Sequence, residues 1–286
     1  MPNFPLVDTH VHFIDTSRHR YAELERTAPP SLLKNYLLED FDRLRGGVDV
    51  ESMLFLEVAV ADEDQVREVA FGDDLARSDS RIKGMVAAAL VEKGAGVEQQ
   101  LDEIAKHDLV RGIRRLIQNQ PDPEFCTQPD FIEGVRRVAQ YGWHFEICVY
   151  HHQLGAALEL ARRCPDVTLL LDHIGKPGIA HDLVEPWWSQ IKSLARMPNV
   201  HCKVSGVITE ADHERWTESH IKPYLDRVFD VFGIDRVMFG SDWPVSELTH
   251  RYRDWVEILD RFTIAFTDEE RRKFFRENAN TFYRLG

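Results

Sequence analysis

At 286 residues, with 43% hydrophobic and 29% charged side chains, the chain carries enough apolar material for a sizeable core and enough charge for a wet surface, which excludes a disordered protein. Its formal net charge of -13 excludes nonspecific binding to nucleic acid or to an anionic membrane, both of which need a positive footprint. Cys126, Cys148, Cys164 and Cys202 lie far apart with no C-x-x-C pair, so neither a disulfide framework nor a structural zinc site is indicated.

The opening residues, Met1 to Asp8, show no basic segment followed by a long apolar stretch, and no apolar run approaches the ~18 residues of a membrane span. A cytoplasmic protein is expected. Short β-rich runs then alternate with amphipathic stretches. Leu6 to His10 reads as the first strand, followed by a helix over Leu37 to Arg45. Next come Met53 to Val60 with Glu63 to Ser78, Gly84 to Val91 with Val97 to His107, and Arg111 to Ile117 with Pro129 to Tyr141. Phe145 to Tyr150 precedes His152 to Cys164, Thr168 to Asp172 precedes Glu185 to Ala195, and Val200 to Val204 precedes His220 to Phe232. Arg236 to Gly240 is the last strand, and a closing helix spans Asp268 to Phe282, with Thr267 and Glu270 forming a capping pair at its start.

This order predicts an α/β protein, either a closed (β/α)8 TIM-type barrel or an open doubly wound sheet. The first strand ends in His10-Val11-His12 where a dinucleotide fold would carry G-x-G-x-x-G, so the dinucleotide reading loses its main support. No linker or low-complexity tract interrupts the pattern, and residues 1–286 are expected to form one domain.

His10 and His12 stand two apart at a strand end, which points both imidazoles to one face, with Asp8 on the same face. Two imidazoles so placed can hold a metal, although a lone H-x-H also serves as ordinary hydrogen-bonding surface. Barrel enzymes gather reacting groups at the C-terminal ends of their strands. The sixth strand ends in Asp172-His173 and the eighth in Ser241-Asp242. Glu146 sits inside the otherwise apolar fifth strand, where a carboxylate needs a partner because burying it alone costs several kcal/mol.

Five segments together carry a resemblance that spans nearly the whole chain: Val7-Asp8-Thr9-His10-Val11-His12-Phe13, Arg111-Gly112-Ile113-Arg114-Arg115, Leu171-Asp172-His173-Ile174-Gly175-Lys176-Pro177, Cys202-Lys203-Val204-Ser205-Gly206 and Phe239-Gly240-Ser241-Asp242-Trp243-Pro244. With them the chain resembles the lactonase branch of the amidohydrolase superfamily, the group of L-fuconolactonase, L-rhamnonolactonase and 2-pyrone-4,6-dicarboxylate lactonase. The resemblance implies the closed barrel and hydrolysis of a small lactone to a hydroxy acid.

It also implies roles. Asp242 matches the general base that takes a proton from the attacking water, and His173 a residue that polarises the carbonyl or steers the water. Arg114 matches an arginine that grips a substrate carboxylate or hydroxyl, a task that Arg111 or Arg115 could take instead. Lys203, His152 and Trp243 are further expected substrate contacts, with structural ion pairing as the alternative for Lys203. His10, His12, Glu146 and Asp242 make a chemically sensible mixed site for a divalent metal, zinc or manganese.

Relatives often have a histidine where Glu146 stands, and the pyrone dicarboxylate type is thought to work without metal, so a metal-free route stays open. Tyr150-His151-His152-Gln153 departs from the proline and arginine usual in sugar lactonases, which leaves the choice between a sugar lactone and a carboxylated aromatic-pathway lactone open. The segments Thr16 to Tyr36 and Ile208 to His220 are the expected lids. A metal-dependent decarboxylase of the same superfamily is the rival activity. Many barrels of this kind pair, so a homodimer is allowed.

Overall fold

A computed structural model describes residues 1–285. Eight strands, β1 (Leu6–Val11), β2 (Val50–Leu56), β3 (Ile82–Ala88), β4 (Val110–Leu116), β5 (His144–Cys148), β6 (Leu169–Leu171), β7 (Val200–Val204) and β8 (Val237–Phe239), lie in one parallel sheet in chain order. Their Val, Ile, Leu and Phe runs are covered on both faces, as parallel strands between a packed interior and an outer layer of helices must be. Of the two architectures left open by the sequence, the closed (β/α)8 barrel is the one formed.

The barrel closes through the segment beyond β8. Asp242 N donates to the His10 carbonyl at 2.9 Å, His12 N donates to the Trp243 carbonyl at 2.8 Å, and Val11 bridges Trp243 in parallel. Closure therefore stitches the end of the first strand to the end of the last, and places His10, His12 and Asp242 side by side.

Outer helices bury amphipathic stripes. Pro129–Gln140 starts with proline at a position where its missing N–H costs nothing, and buries Phe131, Ile132, Val135 and Val138. Tyr252–Phe262 was not anticipated, although Tyr252, Trp255, Val256 and Leu259 recur at helical spacing and are all buried. The closing helix forms over Asp268–Arg272, loosens into a π-helical turn at Lys273–Glu277 and resumes over Asn278–Tyr283. Its expected cap is present, with Glu270 N donating to Thr267 Oγ1 at 3.2 Å.

One end of the barrel interior is apolar: Val7, Leu54, Leu56, Val86, Leu170 and Met238 pack against Ala279, Tyr283 and Leu285 of the C-terminal segment. The other end is polar. Strand ends were expected too long at β2 and β6, because the chain leaves the sheet to build the polar end. Ala59 turns with φ 52°, and His173, Ile174, Gly175 and Lys176 all have positive φ.

Candidate active site

Asp242 enters the polar end with φ 62°, a left-handed conformation that a non-glycine residue adopts at a cost of about 1–3 kcal/mol. The β1 seam holds it there. Its Oδ1 lies 3.5 Å from His12 Nε2 and 3.6 Å from His10 Nε2. The His10 ring centroid stands 4.9 Å from that of His12 and 4.4 Å from that of His173. Gly206 packs beneath with φ 56°, and a Cβ there would come within 2.7 Å of His173 Nδ1 and 2.8 Å of Asp242 Oδ2, so only glycine fits.

Each imidazole is held from behind. His12 Nδ1 donates to the Leu56 carbonyl at 3.1 Å, and His173 Nδ1 bonds Ser205 Oγ at 2.9 Å. His10 Nδ1 faces Lys203 Nζ at 3.2 Å and Asp172 Oδ1 at 3.6 Å. Because a carbonyl can only accept, His12 carries its proton on Nδ1 and turns the Nε2 lone pair to Asp242. A lone pair and a carboxylate oxygen at that separation call for a cation or a proton between them. His10, His173 and Asp242 can each present a ligand atom, all within 4.8 Å of one another. The residues present therefore fit a divalent ion with mixed nitrogen and oxygen ligands.

Burial pushes the His173 imidazole down to about 4. Burial, and then the charge of Lys203, holds His10 well below the usual imidazole range. Burial alone would raise the Asp242 carboxyl, but His173, His12 and His10 outweigh it and hold the group well below the ordinary carboxylate range. At neutral pH Asp242 is ionised while His10 and His173 are neutral.

Below this layer runs a chain of buried charges. Lys203 Nζ lies 2.7 Å from Glu146 Oε2 and 3.1 Å from Asp172 Oδ1. Glu146 Oε1 accepts from Tyr283 Oη at 2.7 Å and bonds His144 Nε2 at 3.1 Å. Arg114 donates to Glu57 Oε1 at 2.6 Å, to the Glu57 carbonyl at 2.8 Å and to Asp172 Oδ2 at 3.2 Å.

These partners redistribute the expected roles. His10, His12, His173 and Asp242 converge. Glu146 groups with His10 and Asp172 instead of with Asp242; its oxygens are bonded by Tyr283, His144 and Lys203, and His173 stands beside Asp242 where Glu146 was expected. Lys203 is 0% exposed and reaches no substrate space; it is a structural ion-pair partner. Asp8 leaves the His10 face because β1 shifts register between Asp8 and Val11, and its carboxylate accepts from Ser241 N at 2.9 Å and Tyr252 Oη at 2.9 Å behind the strand.

Arg114 lines the cavity that opens above Asp242 and the one beside it, but its guanidinium is occupied by Glu57 and Asp172. Arg115 pairs with Glu92 at 2.5 Å, and Arg111 bonds the Asp108 carbonyl near the start of β4. His152 is exposed and stacks on Tyr150. Trp243 is 0% exposed, wedged among Phe13, Tyr36 and Phe41, so it fixes the seam and cannot touch a ligand.

Above Asp242 opens a cavity of about 350 Å³. His12, His173 and Asp242 form its floor; Ile14, Leu24, Leu32, Val245 and Leu248 make an apolar wall; Lys176, Glu210, Tyr150 and Gln118 make a polar one. Both expected lids border it, through Leu24 to Leu32 and through Thr209, Glu210 and His213. A neighbouring cavity of about 380 Å³ holds Arg115 but none of the floor residues. Sequence reasoning missed Ser205, Glu57, Lys176 and Glu210 as parts of the site. Ser205 and Lys176 stood within quoted motifs, and Glu210 within an expected lid, but nothing local singled out any of the three.

Residues 7–285 match the family model described as amidohydrolase. The chain is 34% identical over 200 residues to an L-fucono-1,5-lactonase of Burkholderia ambifaria, covering 68% of each. It is 25% identical over 234 residues to an L-rhamnono-gamma-lactonase of Scheffersomyces stipitis, covering 71% of this chain and 69% of that one. A crystal structure of an amidohydrolase from Burkholderia multivorans with bound zinc superimposes with a TM-score of 0.87 at 28% identity, covering 99% of this chain and 100% of the other.

Proposed function

The chain belongs to the amidohydrolase family, and we propose that it is a hydrolase that opens the ring of a small lactone by water attack on the ester carbonyl. The observation that carries this reading is Asp242, an ionised carboxylate at the end of the last strand, 3.5 and 3.6 Å from two imidazoles on the floor of a cavity sized for a small ring. Asp242 accepts the proton of the water as its oxygen bonds to the carbonyl carbon. The ring C–O bond then breaks, the proton passes to the departing alkoxide, and a hydroxy acid is released.

His10, His173 and Asp242, with His12 whose Nε2 lies 3.5 Å from Asp242, would hold a divalent ion, zinc or manganese, and the zinc in the related Burkholderia multivorans structure supports that choice. When bound, such an ion supplies a Lewis acid that acidifies water and polarises an ester carbonyl. The imidazoles, fixed by Leu56, Ser205 and the Lys203–Asp172 pair, orient the water and the carbonyl; the apolar wall screens the site from bulk solvent.

One sheet running from β1 to β8, plugged by the C-terminal segment, supports reading the chain as one domain. Among the described residues no helix is long and apolar enough to cross a membrane. The net charge of -13 and four buried free cysteines support a cytoplasmic enzyme that binds no nucleic acid. Pairing into a homodimer is compatible with this reading.

The test is acid release from a panel of sugar and aromatic-pathway lactones, before and after chelation, with metal content measured on the same sample. Hydrolysis lost on chelation and restored by zinc or manganese is expected. No hydrolysis of any lactone, with carbon dioxide released from aromatic acids, would move the assignment to the rival decarboxylase.

A further inference from the structure

Two charged side chains in the cavity have no part in the chemistry described so far. Lys176 follows His173 in a turn where residues 173 to 176 all have positive φ, and its carbonyl accepts from His151 N at 3.2 Å. That backbone aims its side chain across the Tyr150 ring, 5.3 Å from the centroid. Its Nζ lies 3.5 Å from Glu210 Oε1, the one salt-bridge partner it has among the described residues. Both side chains line the cavity that holds Asp242 and His173, and they are 15% and 18% exposed.

An ion pair at 3.5 Å is looser than a good charge-assisted hydrogen bond, which closes to about 2.7–2.9 Å. The three protons of the ammonium and the lone pairs of the carboxylate therefore keep capacity that faces the cavity. A hydroxyl is the group that satisfies both at once, because it accepts from Lys176 while donating to Glu210. A substrate carboxylate satisfies only the lysine and meets Glu210 as a like charge.

No other lining cation offsets this. The cavity has the carboxylates Glu57, Glu210 and Asp242 against the cations Arg114 and Lys176, and Arg114 is already bound to Glu57 and Asp172. Apart from the divalent ion that the floor would hold for the ester carbonyl, the side chains of the pocket thus offer no surplus positive charge to a carboxylate elsewhere on the lactone.

Resting on the lactonase reading, we infer that Lys176 and Glu210 form a hydroxyl-recognition pair that selects neutral, polyhydroxylated lactones over lactones bearing a carboxylate. The experiment compares kcat/KM for a neutral sugar lactone and for a carboxylated lactone of the same ring size, in the wild type, Glu210→Gln and Lys176→Met, each checked for native circular dichroism.

The wild type should prefer the neutral lactone. Glu210→Gln should lower kcat/KM for it by about 10- to 100-fold, chiefly through KM, while the carboxylated lactone gains, so that the ratio narrows. Lys176→Met should weaken both. Glu210→Gln is nearly isosteric and carries the test even if Lys176→Met does not fold. A wild-type preference for the carboxylated lactone, or a ratio unchanged in folded Glu210→Gln, overturns the inference alone. No hydrolysis of any lactone by the wild type removes the lactonase reading together with it.

Discussion

Lys203 Nζ lies 3.2 Å from His10 Nδ1 inside the barrel, directly joined to Glu146 at 2.7 Å. Burial, and then the Lys203 ammonium, keep the proton off His10, so the imidazole stays neutral at the pH where Asp242 is ionised. Lys203→Met leaves Glu146 without its cation and Asp172 with Arg114 alone, in a site 0% exposed. Removing one partner of such a pair typically costs about 3–5 kcal/mol, and urea unfolding should show a loss of that order. Unchanged stability with a raised KM would restore Lys203 to the substrate.

Metal content separates the ligands from their supports. His12→Ala should strip zinc from the purified protein, since its Nε2 faces Asp242 with no other partner. Glu146→Gln should keep it, because that carboxylate is held by Lys203, His144 and Tyr283. Elemental analysis of both variants reads this directly, and loss of metal in Glu146→Gln would return that residue to the metal set.

Ser205 Oγ at 2.9 Å fixes the ring of His173. Losing such an outer hydrogen bond commonly costs about 10- to 100-fold in metal affinity or activity, and Ser205→Ala is expected to fall in that range with its melting temperature little changed. Wild-type kcat/KM in Ser205→Ala would show that His173 needs no such anchor.

The pH profile follows from the sign of the His173 shift. Burial lowers its value to about 4, so the folded protein takes up this proton only when the pH falls to that region, not at the usual imidazole value near 6.5. Activity should therefore hold from neutral pH downward and fall as the pH approaches about 4. An acid limb near the ordinary imidazole value would show that His173 titrates freely.

His152 was expected at the substrate, yet it is exposed and stacked on Tyr150. His152→Ala should leave kcat/KM unchanged and stability within about 0.5 kcal/mol. A clear loss of activity would mean that the loop folds over the cavity during turnover.

The parts of this molecule that were legible in the sequence are those set by local pattern. Alternating strand and helix runs gave eight βα units, the family resemblance chose the closed barrel over an open sheet, and strand-end position picked out His10, His12, His173 and Asp242. What could not be read was which neighbour each charge meets. Glu146 and Lys203 are 57 positions apart and pair only because β5 and β7 flank β6 and both turn these side chains into the barrel interior. Trp243 adjoins Asp242 in sequence but turns into the core, since successive side chains leave a backbone in different directions. Asp8 was misplaced by a register shift in β1 that no composition signals. Glu210 sits on an irregular loop, where the residues it meets are decided by the rest of the fold.

The most direct measurement is turnover of a neutral lactone by Asp242→Asn beside the wild type, with circular dichroism on both. Asparagine keeps the shape and loses the base, so kcat should fall by about 10²- to 10⁴-fold while the spectrum stays native. A folded Asp242→Asn enzyme that turns over at the wild-type rate would contradict the assignment of Asp242 as the base, and with it the mechanism built on that residue.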